Sequence, residues 1–249
     1  MVQAAKYDVN QWTTCRTCNQ HWTGEMEVAL ARARWASVRD RLPEDAERLF
    51  VANNLAVTLQ ESAGDSEGAA QLLKEVLAVR RRTLGNEHSE TLDSITNLAL
   101  HYMEVGDCDA ALPLSEEAVA LTRRSLEPGA ADDDQEAAAH AIGSLAAVLH
   151  LKGEHARAKP LHEEALDIRL RLLGPSHLDS MNSCHGLGQC LVALGDRRNG
   201  LAMLEELAAR ARLVLGESHP STMHFARGRA EALSGQRDAL RGNKPRRRV

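Results

Sequence analysis

Among the residues able to do chemistry, the first group is Cys15-Arg-Thr-Cys18-Asn-Gln-His21. Two thiolates at this spacing can take one zinc ion and His21 can add a nitrogen, but a closed structural site needs four ligands. The other thiols, Cys108, Cys184 and Cys190, lie far along the chain. Two readings follow for residues 1–22: a mobile segment with unligated cysteines, or the last ligand pair of a larger zinc module. An autonomous zinc finger is not expected.

A second group is the series His88, His177 and His219. Equivalent positions of successive helix pairs are too far apart to share one ion, whose ligands must all come within about 2.3 Å of it. A linker or helix-capping role is expected instead, with Ser89, Ser176 and Ser218 able to cap the next helix. Cys184 and His185 are adjacent, so on a helix they point roughly 100° apart and cannot act as nucleophile and base. Glu116-Glu117 and Glu163-Glu164 read as solvated carboxylates on outer helix faces. With no Gly-rich phosphate loop, the sequence offers no catalytic constellation.

The elements that hold these residues are helical. Apolar residues make up 43% of the 249 and aromatics only 3%, a balance unsuited to a β-sandwich or barrel. A formal charge of -5 gives no basic excess for nucleic acid, except in the tail Lys244-Pro-Arg-Arg-Arg248. That tail reads as a disordered end, with weak nucleic-acid contact or nuclear targeting as alternatives. No apolar run is long enough for a membrane span. Asp8 stands where a signal peptide needs its apolar stretch. Five cysteines then read as reduced thiols in a cytoplasmic or nuclear protein.

Residues 144–174 show the organisation most clearly. Ala138, Ala141, Ile142, Leu145, Val148 and Leu149 recur at helical spacing, and Ala158, Leu161, Ala165, Ile168 and Leu172 do so again after Lys152-Gly153-Glu154. So short a turn forces an antiparallel helical hairpin. Turn glycines at 64, 106, 153 and 195 are separated by 42, 47 and 42 residues. Leu84-Gly85, Leu126-Glu127, Leu173-Gly174 and Leu215-Gly216 repeat those intervals. A single hairpin cannot cover its apolar face, so the repetition implies stacked pairs. The expected layout is a leading helix in residues 23–43 with Trp35 packed on the first hairpin, an array over 44–235 ending in an unpaired capping helix, and a basic tail over 236–249. The excess five residues fall in a polar loop, Gly129 to Asp134.

The residues Asn97-Leu98-Ala99, Tyr102, Gly106-Asp107, Ala111 and Ala118, with Leu145-Ala146, Gly153-Glu154, Ala158 and Ala165, resemble tetratricopeptide repeats. The linkers Leu84-Gly-Asn-Glu-His88, Leu173-Gly-Pro-Ser-His177 and Leu215-Gly-Glu-Ser-His219 resemble those of kinesin light chains. The resemblance implies an all-α, right-handed superhelical solenoid of antiparallel helix pairs, about four units, whose first helices line a concave groove. It further implies a non-catalytic scaffold that takes a protein or peptide partner and no cofactor. An Asn before the Leu-Ala pair would hold the peptide backbone: Asn54 and Asn97, with Ser144 and Gly186 in the later units. One first-helix position carries His140, Asn182 and His224, with His185 and Arg227 one turn away; these would offer a mildly cationic or neutral polar surface to an acidic side chain. Gly186, Gly188 and Gly200 depart from the family's preference for Ala and should loosen packing. The Cys15/Cys18 segment also resembles the end of a RING-like zinc module, so the alternative is a fragment of a ubiquitin ligase with zinc at Cys15, Cys18 and His21.

Overall fold

The computed structural model describes residues 24–125 and 131–242, with backbone only for residues 61–63, 125 and 235–242. The described residues form ten helices: α1 Glu25–Val38, α2 Ala46–Ala63, α3 Ser66–Leu84, α4 Ser89–Glu104, α5 Cys108–Ser125, α6 Asp132–Leu151, α7 His155–Leu173, α8 Leu178–Ala193, α9 Arg197–Leu215 and α10 Pro220–Gly242. They divide into two compact units, split between Leu114 and Ser115, with the boundary inside α5. The first unit packs α1 on α2, α2 on α3 and α3 on α4; in the second, α6 through α10 pack each on the next. This is the all-α arrangement of successive helix pairs that the periodicity requires.

Local chemistry sets the helix ends. All four turn glycines, Gly64, Gly106, Gly153 and Gly195, have positive φ, and so do the linker glycines Gly85, Gly174 and Gly216. Only glycine enters that region without steric cost, so both markers of the period are points where the chain must reverse. Directly after three turn glycines an aspartate caps the next helix: Asp65 accepts from Gly68 N–H at 2.9 Å, Asp107 from Ala110 N–H at 3.0 Å and Asp196 from Asn199 N–H at 3.4 Å.

The linker histidines turn out to be caps themselves, in place of the neighbouring serines. His88 Nδ1 accepts from Glu90 N–H at 3.2 Å, His177 Nδ1 from Asp179 N–H at 3.3 Å and His219 Nδ1 from Ser221 N–H at 3.2 Å. An imidazole nitrogen reaches the second amide of the helix much as an Asn oxygen would, while Ser89 is already the first residue of α4. Helix α6, whose linker has no such histidine, begins at Ala131 without a side-chain cap. Its first turn instead carries Asp132, Asp133 and Asp134, whose charges oppose the helix dipole. These three residues were expected in a loop and are helical for that reason. Replacing His88 with Ala should cost about 1 kcal/mol, read from the urea midpoint, whereas His88→Asn should restore it.

The core follows the small-residue pattern. In the first unit Leu49, Ala52, Val76 and Val79 cluster with Trp35 and Leu72 against them, so Trp35 packs on the first hairpin as expected. Arg48 lays its guanidinium 5.3 Å above the Trp35 ring and donates from Nε to the Arg39 carbonyl at 3.1 Å. In the second unit every apolar position anticipated in α6, from Ala138 to Leu149, is buried. The carboxylates expected to be solvated are half-exposed and ion-paired: Glu116 lies 3.3 Å from Arg157 and Glu164 2.6 Å from Arg123, which ties α5 to α7.

The last helix differs from expectation. It continues without a break through Ser234 to Gly242, past the boundary placed at 235. A lone glycine inside a helix costs only about 1 kcal/mol, too little to end one. Cys15, Cys18, His21 and the tail from Asn243 onward lie outside the described residues. Among those described, no helix is long and apolar enough to cross a membrane.

Candidate functional site: the faces of the first helices

The cleft in the first unit is built by α2 and α4, with α3 as its floor. Val57 and Gln60 of α2, Leu73 of α3, and Asn97, Leu100, His101 and Glu104 of α4 enclose about 170 Å³. Two side-chain bonds bridge the facing helices. Asn97 Nδ2 donates to Asn53 Oδ1 at 3.1 Å, and the His101 ring donates from Nδ1 to Gln60 Oε1. Burial lowers the His101 pKa from its ordinary value, which holds the ring neutral. Behind it, Lys74 sits 5.5 Å over the Tyr102 ring.

Of the two asparagines expected to hold a peptide, Asn97 lines this cleft and Asn54 does not. Both are half-buried. Asn53, one residue earlier than Asn54, is the one that meets Asn97. The bond uses one of the two amide hydrogens of Asn97 and leaves its carbonyl oxygen and second hydrogen for a ligand. Asn53, Gln60 and His101 were missed in the sequence. Their only signal is spacing: His101 lies four residues after the anticipated Asn97 and Gln60 seven after Asn53, so each of these pairs shares a stripe, whereas Asn53 is turned about 100° from the anticipated Asn54.

In the second unit the polar series separates by burial. His140 on α6, Asn182 on α8, and His224 and Arg227 on α10 are exposed. His185 is not: it is only 5% exposed, packed 5.3 Å from the Phe225 ring and 4.8 Å from the His224 ring. Burial, with His224 adding to it, lowers its pKa to about 4. It is therefore a neutral core group and contributes no cationic surface, a correction to the expected role. Three residues beyond Asn182, it is turned about 60° around the helix, from the polar stripe to the packed one. Cys184 likewise packs against the Met181, Leu207, Ala211 and Phe225 cluster, and burial raises its thiol pKa.

The glycines of α8 prove to be points of close approach. A Cβ on Gly186 would lie 2.3 Å from the His162 ring, and one on Gly228 of α10 would lie 2.2 Å from His185 Nε2. Each imidazole thus occupies a notch on the next first helix. A Cβ on Gly200 would meet the Gly188 carbonyl oxygen at 2.7 Å. The expected loosening is thereby overturned, because these helices are nearer than any Cβ allows.

Comparison with known proteins agrees with this architecture. The sequence profile of the tetratricopeptide repeat family matches residues 45–128 and 135–199. A clustered mitochondria protein homolog of Culex quinquefasciatus is 25% identical over 180 residues, covering 72% of this chain but 12% of that protein, so the chain spans only a small part of it. Crystal structures of a kinesin light chain-like protein of Podosopora anserina with nearly identical TPR-like repeats are 27% identical in one form and 28% in a point-substituted form. The substituted form superposes with a TM-score of 0.62 over 78% of this chain and 90% of that one. BtubC from P. vanneervenii shares the fold at a TM-score of 0.58 and 21% identity, over 77% of this chain and 74% of its own. Ten helices in successive packed pairs, a repeated Gly-Asp turn, and profile matches over more than half of the residues lead to one conclusion: the chain belongs to the tetratricopeptide repeat family.

Proposed function

We propose that the protein is a non-catalytic interaction scaffold that holds an extended segment of a partner protein in the cleft between α2 and α4. The observation that carries this reading is Asn97, fixed in orientation by Asn53 on the facing helix and lining a cavity with Val57 and Leu100 beside it. A primary amide offers a donor and an acceptor together, the pair that a peptide unit requires. The apolar neighbours provide a seat for one side chain of the ligand. Placement by Asn53 lowers the entropy lost when the amide engages. On the second unit, Asn182, His224 and Arg227 present an exposed polar surface suited to an acidic side chain.

The test uses the full chain and a peptide recovered by display selection against it. Asn97→Ala should weaken binding about five- to tenfold, the equivalent of one or two hydrogen bonds. Thermal denaturation of the variant separates loss of binding from loss of fold. Unchanged affinity in an Asn54→Ala/Asn97→Ala protein would remove the backbone grip.

A further inference from the structure

His150, His155 and Cys190 come together in the second unit from three different helices. His150 is in the last turn of α6, His155 opens α7 across the Lys152-Gly153 turn, and Cys190 projects from the last turns of α8. His150 Nδ1 lies 3.1 Å from Cys190 Sγ and 3.2 Å from His155 Nδ1. One ligand atom from each residue falls within 4.8 Å of the other two. The two rings meet with centroids 4.7 Å apart.

Hydrogen bonding alone does not account for this arrangement. His150 Nδ1 has one in-plane direction, occupied either by a hydrogen or by a lone pair. It therefore serves one of its two neighbours and leaves the other in polar contact without a bond. An ion among the three atoms would engage all of them once the His155–Cys190 pair, which lies within 4.8 Å, draws in to the spacing of the other two. With metal–nitrogen distances of about 2.0–2.1 Å and a metal–sulfur distance of about 2.3 Å, tetrahedral ligand atoms stand roughly 3.3–3.6 Å apart, within a few tenths of an ångström of the two short separations here. The turn contributes as well: Gly153 at φ 78 folds the end of α6 onto the start of α7, which brings residues five apart into register.

We propose that His150, His155 and Cys190 form a transition-metal site of the zinc class, with two imidazoles and one thiolate as protein ligands and water in the fourth position. The donor set is the soft-to-borderline combination that selects Zn²⁺ over Mg²⁺ or Ca²⁺. Burial suits the ligand states at His150, where it lowers the pKa and keeps the imidazole neutral. Burial raises the fully buried Cys190 thiol to about 11, so an ion that binds it would displace the thiol proton to water. The site uses none of Cys15, Cys18 and His21 and does not rest on the peptide-binding reading.

Cobalt is the appropriate probe, because a Co²⁺–thiolate bond absorbs in the near-ultraviolet and tetrahedral Co²⁺ absorbs strongly in the visible. The full chain carrying Cys15→Ser and Cys18→Ser removes the N-terminal thiols from the measurement. Titration of this protein should reach an endpoint at one equivalent of Co²⁺ with both absorptions, and Zn²⁺ should displace the colour. Cys190→Ser should abolish the charge-transfer band. His155→Ala changes a half-exposed residue and should leave the circular dichroism spectrum unchanged while weakening Co²⁺ binding at least tenfold. Absence of the thiolate band at stoichiometric cobalt, or its persistence in folded Cys190→Ser protein, would overturn the site. So would wild-type affinity in folded His155→Ala.

Discussion

Lowering the pH from about 7.5 to 4 is expected to remove about 6 kcal/mol of stability through two histidines alone, as the difference between two protonation equilibria. His162 and His185 are each 5% exposed, and both ring nitrogens of His162 and Nε2 of His185 have no hydrogen-bond partner. Burial lowers both pKa values from 6.5 to about 4. Each ring is thus neutral when folded, while the unfolded chain takes up a proton below pH 6.5. Because the unfolded state binds more protons, stability is fully present above that value and declines as pH falls through the window. At pH 4 the loss is about 3 kcal/mol for each ring, with a slope of ~2.4 kcal/mol per pH unit midway for the pair. His101 and His150 are shifted in the same direction and add to the effect.

The measurement is the urea midpoint of chelator-treated protein at intervals across the same pH range. A double variant, His162→Leu/His185→Leu, should show most of this slope gone, since neither position can then bind a proton. A flat profile in the wild-type chain would mean that the rings are hydrated in solution. An equally steep profile in the double variant would assign the acid sensitivity to other groups.

Gly200→Ala is expected to destabilise the protein by about 2–3 kcal/mol, against the roughly 1 kcal/mol gain that helix propensity alone predicts. The new Cβ would lie 2.7 Å from the Gly188 carbonyl oxygen, 2.7 Å from Val192 Cγ2 and 2.9 Å from the Val192 nitrogen. Two of these are backbone atoms of α8, so relief requires the helices to part. In the preceding helix pair the positions 42 residues earlier are Ala146 and Ala158, both fully buried. The glycine pair is therefore a substitution of both members together, and it draws α8 and α9 closer than two alanines would. Gly188→Ala should be milder, because its Cβ meets mainly the Leu204 side chain, at 2.9 Å. If Gly200→Ala raised the thermal midpoint, the close approach would be disproved.

The architecture was legible because it depends on local chemistry repeated at a fixed interval. Turn glycines need positive φ, aspartates after them cap helices, and apolar residues recur every three or four positions. Each of these rules is satisfied within a few residues of the chain. Such signals located the helix pairs, the leading helix with Trp35, and the linker histidines as helix-end residues. Asn97, which lines the cleft, was singled out by the resemblance to tetratricopeptide repeats and not by these local signals.

What one helix does to the next was not legible in the same way. The sequence could not distinguish Asn53 from Asn54 as the partner of Asn97, since a single-residue rotation of roughly 100° decides which one meets the facing helix. Nor could it separate exposed Asn182 from buried His185, which sit on the same helix less than a turn apart. Gly186, Gly188 and Gly200 read as flaws until the atoms opposite them were known. His150, His155 and Cys190 carried no motif, because their convergence depends on a turn and on packing with a third helix. Repeat architecture is a property of short segments, determined by the sequence itself. Which side chains touch across helices depends on interhelical distance and rotation, and those are determined only when the helices pack.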